Sequence, residues 1–176
     1  DEQLANYLYD LEAKLKNEQV IDFIRAVSPA IYRIFMRLIK LEIPDIESYI
    51  HNSREASYDR WNFDKMKNTG HPILSTFHAE SPVHSSSLAS LILLLDLPEQ
   101  VKIMVKELRK LEKSVRNPLA HLIKHFDGEE LHSTTGFSSQ FFMEILILLA
   151  KATGITYDEE QFFFDRVNQV IKTLID

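Results

Sequence analysis

The sequence predicts an all-α fold, a bundle of about seven or eight helices, and three observations carry that expectation. Apolar residues recur at helical spacing along most of the chain. Only 4 Gly and 6 Pro occur in 176 residues, too few for a turn-rich β protein. Hydrophobic residues make up 45%, enough for a core that needs neither metal nor disulfide, so a single domain is expected over residues 1–176. No internal repeat or alternating strand pattern competes with the helical one.

The elements follow in order. Leu4, Leu8, Leu11 and Leu15, spaced by four, three and four, predict a helix over 2–16 that ends at Asn17. A second pattern from Glu18 reaches Ser28-Pro29, a cap followed by proline at a first helical position, and continues through Ile31, Ile34, Phe35, Leu38 and Leu41. That is either two helices or one kinked helix. Pro44 stops it, and Pro44-Asp45 opens a short helix through Ile50. From about 51 to 82 periodicity is lost and Asn, Ser, Gly and Pro gather; short helices should interrupt this irregular stretch, one of them over Trp61 to Lys67. Ser86 or Ser87 caps an apolar helix through Leu95, and Asp96-Leu97-Pro98 starts a long basic helix with the stripe Val101, Met104, Val105, Leu108, Leu111 and Val115. Asn117 as cap and Pro118 as first residue predict a new helix from Pro118 to about His125. A loop around Gly128, a helix from about Ser138 to Ala152 ended by Gly154, and a last helix from Asp158 to Leu174 complete the chain.

Cysteine is absent, which excludes disulfides, Cys-based zinc sites and a thiol nucleophile and fits the cytosol. The longest apolar runs, Leu91 to Leu95 and Ile145 to Ala150, fall well short of the roughly 20 residues that span a bilayer, so no membrane partner is expected. The chain opens at Asp1 directly into a helical pattern, as expected for the C-terminal part of a longer protein. A net charge of −6 argues against a general nucleic-acid coat. Its distribution is uneven: residues 98–125 carry a net +4, leaving −10 on the rest.

Chemistry concentrates in Lys113-Ser114-Val115-Arg116-Asn117-Pro118-Leu119-Ala120-His121. A helix break at Asn117-Pro118 would let Arg116 and His121 converge beside a helix N-terminus, whose free N–H groups and dipole favour a phosphate. Arginine grips phosphate oxygens in a fork, and histidine moves protons near neutral pH. RNA carries its own nucleophile, the ribose 2′-OH, so cleavage needs only proton carriers and a charge stabiliser. One Arg and one His make half of that set, and a two-fold dimer supplies the rest.

Arg116-Asn117-x-x-Ala120-His121 resembles the Arg-x(4 to 6)-His motif of HEPN ribonucleases. The resemblance implies a HEPN-like helical bundle, a homodimer with a composite site, and metal-independent cleavage of single-stranded RNA leaving 2′,3′-cyclic phosphate ends. Arg116, His121 and Asn117 would be catalytic, with no cofactor. Within the superfamily the Asn, the Ala before His and the long helical lead-in look most like the ancillary ribonucleases of type III-A CRISPR (Csm) systems, which act in antiviral defence. Those enzymes usually carry a Rossmann-like sensor for cyclic oligoadenylate, and no such strand-helix pattern occurs here. An activator of that kind would bind a domain absent from this chain.

Other features have plainer readings. Lys102, Lys106, Arg109, Lys110 and Lys113 form either a solvated face or a guide for RNA leading to the motif; Lys102, Lys106, Arg109 and Lys113 are the RNA-binding candidates. Asn117 serves as a cap even if its amide also reaches phosphate. His125 is a surface residue one turn after His121, and His71, His78 and His84 are loop histidines at no metal-ligand spacing. Phe162, Phe163 and Phe164, being consecutive, suit core or dimer packing better than base stacking, and Trp61 suits packing. Two other functions stay open: the toxin of a toxin-antitoxin pair, and a helical module that binds without cutting.

Overall fold

The computed structural model describes residues 2–51, 59–121, 127–158 and 163–175, with the side chains at 116–121, 134–135, 163 and 174–175 set aside. Its helices run in the order α1 (Glu2–Lys16), α2 (Val20–Glu42), α3 (Phe63–Lys67), α4 (Ser85–Ile92), α5 (Glu99–His121), α6 (Gly128–Thr135), α7 (Ser139–Ala152) and α8 (Phe163–Ile175). Two two-residue strands, β1 (Ile50–His51) and β2 (Arg60–Trp61), pair antiparallel. The fold is all-α. The chain divides into two compact units, Asp1–Ala30 with Leu111–Asp176, and Ile31–Lys110.

In the first unit, α1 buries Leu4, Leu8 and Leu11, the face its leucine spacing defines, and it packs on α7. α7 starts where expected, with Ser138 as its cap, the Oγ accepting from the Phe141 N–H at 3.1 Å, and Gly154 follows the helix with a left-handed φ of 85°. Phe142 of α7 meets Phe23 of α2 edge-on, with ring centroids 5.8 Å apart and both rings buried. Each such ring contributes about 1.5–3 kcal/mol by leaving water. The Tyr157 hydroxyl donates to Glu12 Oε2 at 2.5 Å, and its ring stacks on Tyr9 at 4.6 Å.

The segment around Gly128, read as a loop, is the helix α6. Asp127 Oδ1 accepts from the N–H groups of Glu129 and Glu130 at 3.0 and 2.9 Å, and Gly136 ends the helix in the left-handed region. With Leu131 its one buried apolar residue, α6 offers little periodicity to read; its caps define it.

Pro29 lies inside α2, which is one helix. A proline in a helix interior costs about 3 kcal/mol. Val27, Ala30, Ile31, Ile34 and Phe35 around it are all buried, and at about 1.5–3 kcal/mol for each large side chain their burial outweighs the lost hydrogen bond.

In the second unit the irregular stretch is ordered by local bonds. Short 3-10 turns occupy Ile46–Tyr49 and Leu74–Thr76. Ile50 pairs with Trp61, and the Trp61 and Val83 N–H groups donate to the carbonyls of Ser81 and Asp59 at 2.9 and 2.8 Å. Trp61 is buried edge-on against Phe77, so it packs, but it sits on β2 and the short helix starts two residues later, where Asn62 caps it. Burial, with Asp59 and Glu47 adding negative charge, pushes the Tyr32 phenol above its ordinary range and keeps it neutral.

Candidate active site

The helix α5 carries the basic stretch and the motif together. Val101, Val105, Leu108, Leu111 and Val115 are buried, as the apolar stripe requires, while Lys106, Lys110 and Lys113 are exposed and Lys102 and Arg109 half-buried. α5 does not break at Asn117: its backbone continues as helix through His121. This corrects the expectation of a new helix at Pro118. The reason is the one that applies at Pro29, since a buried stripe upstream absorbs the cost of the proline.

Two consequences follow. On a continuous helix Arg116 and His121 leave the axis about 140° apart, so one chain does not bring them to one point through a break. They also lie within a helix and not ahead of a helix N-terminus, so attraction for a phosphate there rests on cations and not on free N–H groups. The unbroken register supplies them in line. Lys102, Lys106, Arg109, Lys113 and Arg116 follow one another at intervals of four, three, four and three, a single row along one side of α5. The side chains of Arg116, Asn117 and His121 lie outside those described, and so does His125.

Not every member of the row is equally available. An Arg109 guanidinium nitrogen donates to Ser85 Oγ at 2.8 Å, whereas Lys106 and Lys113 reach into solvent. Glu112, one turn before Arg116, is 4% exposed, and Ser28 of α2 donates to its Oε1 at 3.4 Å. Sequence reasoning passed over this carboxylate because it reads as one more charge in a charged helix.

Two of the other histidines, His84 and His71, have structural work. His84 caps α4, its Nδ1 accepting from the Ser87 N–H at 3.3 Å while Ser87 Oγ accepts from the His84 N–H at 3.1 Å. His71 Nδ1 accepts from the N–H groups of Ile73 and Leu74 at 3.3 and 3.4 Å, and His78 is exposed. His84 thus takes the capping role expected of Ser86 or Ser87. Among the described residues no three His, Asp or Glu gather as a metal site. Phe164 is 41% exposed on α8, and Phe162 lies outside the described residues. A groove of about 400 Å³ in the first unit is lined by Glu12, Gln140, Glu144, Ile147, Leu148 and Tyr157; its two carboxylates oppose a polyanion. No described helix is long and apolar enough to cross a membrane.

An all-helical chain that carries an Arg-Asn-x-x-Ala-His segment on a basic helix is similar to the HEPN domains. The family model described as the Cas_Csm6 HEPN domain matches residues 1–172. The chain belongs to that family. The family points to a CRISPR-associated HEPN ribonuclease. No curated protein matches the sequence.

Proposed function

We propose that this chain cleaves single-stranded RNA without a metal ion, as half of a homodimeric site, in type III CRISPR antiviral defence in the cytosol. The observation that carries the reading is the row of cations on α5 ending at Arg116, five residues before His121, in a chain of this family. A row of about 20 Å, the length of fifteen helical residues, matches the backbone of a few nucleotides. Lys102, Lys106, Arg109 and Lys113 hold phosphates along the approach. Arg116 stabilises the charge that develops on the reacting phosphate, and Asn117 adds an amide donor.

The reaction requires a base that takes the 2′-OH proton as that oxygen attacks phosphorus, and an acid that returns a proton to the departing 5′-oxygen. Its products are a 2′,3′-cyclic phosphate and a 5′-hydroxyl. His121 from each of two chains fills the two roles. The roughly 140° between Arg116 and His121 on one helix supports the same division, because residues splayed that way can each meet their complement from a partner copy. A cyclic oligoadenylate, bound by a domain outside this chain, is the activator this reading carries with it.

The test is to incubate the purified chain with end-labelled single-stranded RNA in excess EDTA and to analyse the ends. Cleavage that leaves cyclic phosphate is the expected result. No cleavage by wild type, with or without added divalent metal, would return the chain to the class of helical binding modules.

A further inference from the structure

From 164 to 173 every residue of α8 is exposed except Val167, which is half-buried. Its apolar residues are nonetheless gathered on one side. At about 100° per residue, Phe164, Val167, Val170 and Ile171 fall within one arc of about 120°, and Asp165, Arg166 and Lys172 all fall outside it. Phe164, Asp165 and Asn168, at one edge of the arc and beyond it, line a groove with Ala13, Lys16 and Asn17, where Lys16 pairs with Asp165 at 3.3 Å. The arc itself stays open: Val170 is 55% and Ile171 46% exposed. A 13-residue helix is marginal alone in water, and Val167, Val170, Ile171 and Thr173 are β-branched residues that lower helix propensity further. Exposed ion pairs such as Lys16 with Asp165 and Arg166 with Asp158 are worth about 1 kcal/mol at most. The helix therefore calls for a surface laid against its arc.

We infer that a second copy of this chain docks on the apolar arc of α8, an inference that rests on the composite-site reading above. That reading requires a two-fold partner, and α8 lies in the unit that also holds residues 111–121 of α5. Across a two-fold axis the arc meets itself, apolar on apolar, and no α8 charge is drawn out of water. Other occupants fit less well. RNA would need cations on the arc, which carries none. A membrane-surface helix sets Lys and Arg opposite its apolar face, whereas the polar side of α8 has Asp165 beside Arg166 and Lys172, and the chain's net charge of −6 opposes an anionic surface. In the same unit α7 also exposes Phe141 and Leu148, but Glu144 lies on that face and would have to be buried with them. A footprint of about 20 Å by about 10 Å is one part of the roughly 800 Å² that each partner buries in a standard interface, so damage to α8 weakens the pair and is read as a change in Kd.

The experiment measures the dimer Kd by sedimentation for wild type, Val170→Asp, Ile171→Asp and, on the polar side, Lys172→Asp, with circular dichroism for each. Either arc variant should raise Kd by about tenfold or more, since a carboxylate would be buried against apolar surface, while Lys172→Asp should stay within about threefold. Cleavage of single-stranded RNA by the arc variants should fall at low protein concentration and return as concentration passes the new Kd. Because the chain has no cysteine, single cysteines give a second readout that puts no charge into the contact. Ile171→Cys should be joined into dimers by a short bismaleimide, and Lys172→Cys should not; this comparison decides if an Asp variant loses its helix. Arc variants at wild-type Kd, or equal cross-linking at 171 and 172, overturn the docking face and leave the nuclease assignment standing. An unaltered dimer together with binding to phosphatidylcholine and phosphatidylserine vesicles that Val170→Asp abolishes overturns it in favour of a lipid surface. A wild type that stays monomeric removes the composite site and this inference together, whether or not it cleaves. One that pairs through the arc without cleaving removes the nuclease reading alone.

Discussion

Over the described residues the helices α2 and α5 each run for 23 residues, and each contains a proline that sequence rules treat as a boundary. Both run through it. They differ in what surrounds the interruption. From Ala30 to Ile39, α2 is buried on most of its circumference, so the proline there is a local cost inside a structural element. α5 buries one stripe, leaves a row of cations on another side, and places its proline between Arg116 and His121. A cap-like Asn or Ser before Pro therefore does not mark a helix start when a buried stripe already fixes the backbone upstream. On the proposed reading the difference also separates roles: α2 holds the fold, and α5 presents chemistry.

That division can be broken by mutation. Phe35→Ala in α2 should cost about 3–5 kcal/mol of stability through the cavity it leaves, seen as a lowered denaturation midpoint, with the cleavage rate per folded molecule unchanged. His121→Ala should do the reverse, lowering RNA cleavage by about 10² or more with helical circular dichroism intact. If Phe35→Ala instead lowers kcat in proportion, the two helices do not divide the work. Ser138→Ala removes the cap of α7 and should cost about 1 kcal/mol in denaturant titration without touching cleavage. Lys113→Ala, the mildest change, should leave stability alone and reduce the slope of log KM against log salt by about one unit. An unchanged slope would return Lys113 to the solvated face.

Much of this was legible in the sequence. α1, with its four leucines, and α7, with its Ser138 cap and Gly154 stop, match their expected bounds because periodicity and capping agree there. α6 was missed because a helix with one apolar residue, Leu131, is specified by Asp127 and Gly136 and not by a stripe. The break at Pro118 was misread because local propensity was weighed without the burial of Leu111 and Val115 just upstream. The motif residues were visible as a pattern. The basic face leading to them was legible as well; what the continuous helix changed is the roughly 140° it puts between Arg116 and His121. Glu112 was invisible for a related reason: charge is read from sequence, but burial is not.

The central claim is that one chain holds half of a site. It is tested most directly by keeping wild-type chains at fixed concentration, adding increasing amounts of His121→Ala chains, allowing subunits to exchange, and following cleavage of labelled single-stranded RNA. Mixed pairs lack one of the two proton carriers, so activity should fall steeply as the variant is added. Activity that stays constant with the wild-type concentration, however much variant is present, would contradict the composite site.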